Sequence, residues 1–460
     1  IVAPSSKLST TRTWHTTTLA SDFGVEEADE DALYAAMDWL LARQDAIQKK
    51  LSARHLKTGG QVLYDLSSSY FEGTHCPLAR LGYNRDGKKG MLQVNYGLMT
   101  DGRGCPVAVT VHAGNVSDSR TFLLEVERLR KDFGIEDVVL IGDRGMIGKT
   151  TIEHLREMPG MCWITGLKSP SIRALVEGGQ IQMGLFDERN LLEIHSPAYP
   201  GERLMVCRNP SLAYLRAKTR EALLDATEEK LRVIQAGVVA GRRKGAEAIG
   251  LAVGKVINRY KVGKHFALEI GERQFTFTRK TQAIASEAAL DGLYIIRTNV
   301  APGRMEAAEC VRNYKALAQV ERAFRTLKTT GLKVRPIYHR TADRVRAHLL
   351  LCMLAYYVEW HMREVWRERM FADADLSAKA TRDPVAPAQR SLSARRKISR
   401  RALDDGAPVQ SFSTLMAELS TLVRNTCRIP GAADSSSFEV LTTPTPAQRR
   451  ALDLVELIHL

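Results

Sequence analysis

The stretch YKALAQVERAFRTLK, Tyr314 to Lys328, decides how this chain is read. It has no Gly and no Pro and is rich in helix formers, so it reads as one amphipathic helix of about four turns. At about 100° per residue, Tyr314, Leu317, Glu321, Arg325 and Lys328 fall within an arc of about 80°. One carboxylate therefore shares a face with two cations after it and a tyrosine two turns before it. Alone, this is no more than the ordinary Glu-to-Arg i,i+4 pair of a surface helix. Two acids upstream add to it: Asp65 in QVLYDLSSSYFEG and Asp143 in DVVLIGDRGM, both at strand-like positions. Three carboxylates from two strands and a helix make a site for a hard cation, and the basic helix face suits a phosphate chain.

Outward from the helix, the upstream chain alternates strands and helices. Gln61 to Phe71, Met91 to Met99 and Pro106 to His112 read as an antiparallel meander turned at Asp101-Gly102. Leu63, Asp65 and Ser67 share one face of the first strand. Asp is disfavoured in a strand interior, so Asp65 is either a strand-end acid bonded to a turn or a ligand. A helix capped by Ser117 or Asp118 follows. Val138 to Ile141 is then a short apolar run of the kind buried on both faces of a parallel sheet. Asp143 stands just past its carboxyl end, where ligand sites occur in α/β sheets.

The rhythm breaks between Ser171 and Ala289. A strand pair (Leu191 to Ile194, Arg203 to Cys207), a long charged helix and a hairpin read there as an insertion lobe with its own fold, whose Arg242 to Lys244 loop is basic. The expected organisation is a tail and helix over 1–59, core over 60–170, insertion over 171–290, core again over 291–365, and a basic extension over 366–460. Residues before about 25 look loosely attached, and Glu26 to Leu56 reads as one helix. In the extension, the arginines from Arg390 to Arg401 fit a solvated linker and a nucleic-acid contact equally well, and Gly431 to Pro446 is Ser/Thr/Pro-rich and expected to be mobile.

Composition narrows the partner. Lys and Arg number 66 against 52 acids, a net charge of +14, which favours a polyanion. Seven scattered cysteines with no CxxC pair argue against a zinc site or a disulfide framework. The most apolar run, His348 to Trp360, is too short to span a membrane, so no membrane partner is expected. The chain begins at Ile1 without Met and reads as the remainder of a longer protein.

Four stretches together resemble an insertion-sequence transposase of the DDE superfamily, in the branch with a Tyr-x2-Arg-x3-Glu-x6-Lys signature. They are YDLSSSYFEG at 64–73, HAGNVSDSRTF at 112–122, VVLIGDRGM at 138–146 and YKALAQVERAFRTLK at 314–328, with RPIYHRTADRVRAHLLLCMLAYYVE at 335–359 in support. The resemblance implies an α/β fold: a ribonuclease-H-like mixed sheet flanked by helices, with an insertion before the last catalytic acid. It implies that Asp65, Asp143 and Glu321 are the catalytic, metal-binding triad, holding two Mg²⁺ or Mn²⁺ ions. Tyr314, Arg322, Arg325 and Lys328 are then expected at the DNA. The signature's Arg position holds Leu317, so that phosphate contact must be absent or come from Arg322 or Arg325. At the second acid some relatives carry Asp-Arg-Glu-Phe; here it is Asp143-Arg144-Gly145-Met146.

The implied partners are terminal inverted repeats and target DNA, with a homodimer on the DNA, in the bacterial cytoplasm and at the nucleoid. The implied reaction is cleavage at the element ends followed by joining of the 3′-hydroxyl to target DNA. Two other readings stay open: a metal-dependent nuclease on the same fold that only hydrolyses, and a catalytically silent DNA-binding relic. An amino-terminal repeat-binding segment is expected to be missing.

Overall fold

The computed structural model describes residues 1–182, 186–329, 331–429 and 437–459. The amino-terminal region is helical: α1 (Lys7–Thr13), α2 (Leu19–Phe23), α3 (Glu30–Leu41) and α4 (Gln44–His55). The residues before 25, expected to be loose, thus form two short helices. The single helix expected from Glu26 to Leu56 is broken at Ala42 and Arg43. The break has a packing cause. α4 lies on a sheet edge, where the amides of Gln44 and Gln48 donate to the Val109 carbonyl at 3.2 and 3.3 Å, whereas α3 turns to pack on a carboxy-terminal helix.

The core then builds one mixed sheet. β1 (Gln61–Tyr70), β2 (Gln93–Asp101) and β3 (Pro106–Ala113) form the meander. α5 (Asp118–Lys131), β4 (Val138–Ile141), α6 (Lys149–Arg156), β5 (Met161–Gly166) and α7 (Ser169–Glu177) follow. β4 pairs parallel to β1, and β5 parallel to β4. Beyond come β6 (Leu191–Ile194), β7 (Arg203–Arg208), α8 (Pro210–Val239), α9 (Ala246–Tyr260), β8 (Phe266–Ile270), β9 (Phe275–Arg279), α10 (Thr281–Ala288) and β10 (Leu293–Thr298). The strand order is β3-β2-β1-β4-β5-β10-β7-β6, eight strands with helices on both faces. This is the expected α/β architecture, a ribonuclease-H-like mixed sheet.

The expected insertion lobe does not stand apart as a whole. β7 extends the main sheet antiparallel to β10, and β6 adds the edge antiparallel to β7. What leaves the sheet is the stretch 210–290, where α8, α9 and the β8–β9 hairpin enclose a small core of their own around Leu231, Ile249, Val253 and Phe275. The strand pair joins the sheet because β7 is buried on both faces, with Leu204, Met205, Val206 and Cys207 all inaccessible. A lobe hairpin would expose one of those faces.

Past β10 the chain forms α11 (Ala307–Lys315), α12 (Leu317–Lys328) and α13 (Ala342–Val365). The single helix expected over 314–328 is therefore two helices, joined at Ala316, whose N–H reaches back to the carbonyls of Arg312 and Asn313. α11 packs on β5, β10 and β7, and α12 on β1. One straight rod does not follow both tracks across a twisted sheet. α12 buries Val320, Ala323, Phe324 and Leu327, with Phe324 edge-on to Tyr96 at 5.7 Å. Each large side chain buried there contributes about 1.5–3 kcal/mol, so the helix is firmly seated on the strand that carries Asp65.

The extension contains α14 (Leu376–Thr381), α15 (Leu392–Arg400), α16 (Phe412–Leu419), β11 (Arg424–Arg428), β12 (Ser437–Leu441) and α17 (Pro446–Glu456). A core around Trp366, Phe412, Leu415 and Ala451 ties it to the end of α13. Of the tail expected to be mobile, residues 431–436 lie outside the described residues, while Ser437–Leu441 is strand. Among the described residues, no helix is long and apolar enough to cross a membrane.

Candidate active site

Parallel pairing of two strands leads toward the first two acids. β1 and β4 pair Gln61 with Val139, Val62 with Leu140 and Leu63 with Ile141, a constant offset of 78. The pairing ends there, two residues short of Asp65 on β1 and of Asp143, which stands in the turn past β4. Side chains alternate across a sheet. Leu63, Val139 and Ile141 lie in the core under α12 and α13, whereas Val62, Tyr64, Val138 and Leu140 lie in the opposite core under α5 and α6. Asp65 follows the odd-numbered set of β1 and so belongs to the α12 face; Asp143, in the turn past β4, is close enough to act on its charge. Glu321 is exposed on α12 next to buried Val320.

Each acid is held locally. The Asp65 carboxylate accepts the N–H of Leu66 at 2.8 Å. Asp143 Oδ1 accepts the N–H of Gly145 at 2.6 Å, and its carbonyl accepts those of Met146 and Ile147 at 3.0 Å. Buried Met146 and Ile147 anchor that turn beneath the exposed acid. Asp65 senses the other two. Burial raises the Asp65 pKa to about 7, and Asp143 and then Glu321 push the same way, against the Leu66 N–H and Arg85. Among the described residues, none of the three forms an ion pair with Lys, Arg or His. Their oxygens do not all close to within 4.8 Å of one another; the cluster that does lies elsewhere.

The remaining expected residues separate into two groups. Tyr314, on α11, is half-buried beside the acids, and burial raises its pKa, with Asp143 as the next influence. Its hydroxyl lies over Gly166 at the end of β5, where a Cβ would come within 2.8 Å of it. A glycine at that strand end is what lets the tyrosine reach the site. Arg322 and Arg325 are exposed on α12; Arg322 bonds only Gln319, at 3.4 Å. Lys328 is different, because its ammonium turns inward to Asp86 Oδ1 at 3.0 Å. Burial lowers its pKa against the pull of Asp86.

Sequence reading passed over this hub. Asp86 is almost inaccessible; it also accepts Arg335 at 2.6 Å and the N–H of Tyr70 at 3.1 Å. The preceding Arg85 grips Asp118 of α5 through both carboxylate oxygens at 2.6 and 2.8 Å. Asp118 does not cap α5. Ser117 holds the cap position, without a side-chain bond. The RDGKKG turn thus straps β1, α5 and α12 around the acids. Its sequence signal was the lone acid in a basic turn.

The arrangement defines a carboxylate site on the helix-covered face of a mixed sheet, with exposed arginines on the covering helix. The family model described as a transposase DDE domain matches residues 65–358, more than half of the chain. The chain belongs to that family. Among solved structures, a piggyBac transposase synaptic complex with hairpin DNA, determined by cryo-EM, is similar at 9% identity and a TM-score of 0.32. The likeness covers 66% of this chain and 46% of that one, so the chain spans less than half of that structure's length. No curated protein matches.

Proposed function

We propose that this chain is a DNA transposase whose Asp65, Asp143 and Glu321 serve cleavage at element ends and joining of the 3′-hydroxyl to target DNA. The observation that carries the proposal is Asp65 on β1, Asp143 just past the neighbouring parallel strand β4 and Glu321 on the helix packed over β1, none of them with an ion-pair partner among the described residues. A buried acid whose pKa is raised by burial and by two acids without ion-pair partners fits a divalent-cation site. An all-oxygen set suits Mg²⁺ or Mn²⁺, and Asp65, Asp143 and Glu321 would hold two such ions. When bound, a pair of divalent ions activates the attacking oxygen and stabilises the leaving oxygen of a phosphodiester.

The chain's own groups do the rest. Arg322 and Arg325 face solvent on α12 and bind DNA phosphates. Tyr314, fixed over Gly166, positions the strand beside the acids. Lys328 acts one step away, holding the Asp86 strap in place. The partners in this reading are terminal inverted repeats and target DNA, engaged as a homodimer.

The test uses DNA carrying inverted repeats from the flanks of the gene, with Mg²⁺ or Mn²⁺ present. Cleavage at the repeat ends together with joined product is expected. Cleavage without joined product would assign the site to hydrolysis alone. Binding without cleavage in either metal would make the chain a silent relic.

A further inference from the structure

A second cluster lies at the other end of the meander. The ligand atoms of His55, Cys105 and His361 all fall within 4.8 Å of one another, the only such group of His, Cys, Asp or Glu among the described residues. His55 ends α4, Cys105 follows the β2–β3 turn and His361 is on α13. Asp101, at the start of that turn, pairs with Val62, three residues before Asp65 on β1. The cluster is therefore displaced from the acids by about 10 Å along the strand.

We propose that His55, Cys105 and His361 form a zinc site that clasps α4, the β2–β3 hairpin and α13 together. The chemistry is that of two imidazoles and one thiolate, which select a borderline-soft ion such as Zn²⁺ over the Mg²⁺ favoured by an all-oxygen set. In a tetrahedral site with ordinary Zn–S and Zn–N lengths, the sulfur and nitrogen ligands stand about 3.6 Å apart. Cys105 Sγ and His361 Nε2 are 4.0 Å apart, so a small closing movement completes the pair.

The ligands are held before any ion arrives. Asp101 Oδ1 accepts the N–H groups of Arg103 and Cys105, both at 2.9 Å, which fixes the turn that presents the thiol. The His361 ring is wedged edge-on between Tyr357 at 4.6 Å and Trp360 at 4.9 Å. His55 Nε2 meets the Tyr357 hydroxyl at 2.9 Å. On binding, the thiol proton of Cys105 passes to solvent and the sulfur binds as thiolate. Packing accounts for stacked histidines; it does not require a buried thiol from a third element to meet them.

The test is titration of the full chain with Co²⁺ under reducing conditions and excess Mg²⁺, which occupies the acidic site. One equivalent should bind with tetrahedral visible bands and a thiolate-to-cobalt charge-transfer band, displaced by Zn²⁺. Cys105→Ser should lose the charge-transfer band, and His361→Gln should weaken Co²⁺ binding more than about 10-fold. Asp65→Asn should leave both signals unchanged, which separates this site from the acids. Should Cys105→Ser fail to fold, His361→Gln alone decides. A folded wild-type protein with no charge-transfer band overturns the proposal, and so does a His361→Gln variant that binds Co²⁺ as the wild type does.

Discussion

Two aspartates beside β1 show opposite solutions to burying a carboxylate. Asp86 is almost inaccessible and is met by Lys328, Arg335 and the N–H of Tyr70. Asp65 is partly covered, receives only the Leu66 N–H, and faces two further acids, so its pKa rises to about 7. Burial of an ion is tolerated when partners replace its lost hydration. At Asp86 the protein supplies those partners. At Asp65 it withholds them and adds like charge, a choice that makes sense only where positive charge comes from outside. Asp86 therefore belongs to the architecture, and the proposed function assigns Asp65 to the chemistry.

The largest effects should divide along that line. Asp65→Asn is expected to reduce DNA cleavage by at least about 10²-fold while leaving the fold and DNA binding intact. Asp86→Ala is expected to lower stability by about 3 kcal/mol, since it strands two cations, one of them buried. Urea unfolding, gel shift and cleavage assays on the two variants side by side measure both. If Asp65→Asn cuts normally, or Asp86→Ala unfolds at the same urea concentration as the wild type, the comparison collapses.

A smaller effect concerns pH. The folded-state pKa of Asp65 lies above the ordinary carboxylate value. In cation-free protein its contribution to stability is thus fully present below about pH 4 and is lost as pH rises through about 7. Cation binding requires the ionised form, so Mn²⁺ affinity should climb about tenfold per pH unit below 7 and flatten above it. In cation-free protein at pH 8, Asp65→Asn should be more stable than the wild type by about 1 kcal/mol or more. Calorimetric Mn²⁺ titration across this range, with thermal melts of both proteins, checks the two signs. An affinity that ignores pH would mean that Asp65 is not a ligand.

The sheet, and the places of Asp65 on one strand and Asp143 just past another, were legible in sequence because their signals are local. An apolar run ending in Asp143 marks a buried strand and its carboxyl end, and an Asp inside a strand pattern marks an exception. The kink at Ala316 was not legible, because the helix signal is unbroken through it and only the sheet beneath bends the path. The insertion began too early in the sequence reading because a strand pair looks the same whether it joins a sheet or stands alone. His55, Cys105 and His361 carry no spacing signal, since each comes from a different element. Lys328 read as an exposed cation on the helical wheel. Its partner Asp86 lies 242 residues away, and no periodicity reports that.

The smallest expected effect separates the two cations of α12. Arg325 is exposed, with no ion-pair partner among the described residues, while Lys328 is buried against Asp86. If Arg325 meets a DNA phosphate, Arg325→Ala should weaken binding by a few-fold and reduce the slope of log K against log salt by about 1. Stability should stay within about 0.5 kcal/mol, as for most surface substitutions. Lys328→Ala should behave in reverse, with an unchanged salt slope and a clear loss of stability, because removing it leaves Asp86 with one cation, Arg335, beside the Tyr70 N–H. Double-stranded and nicked end substrates, titrated at several salt concentrations, read the slope directly. If Lys328→Ala flattens the slope while Arg325→Ala does not, the inward turn of Lys328 gives way to a phosphate contact when DNA is bound, and the Asp86 strap opens with it.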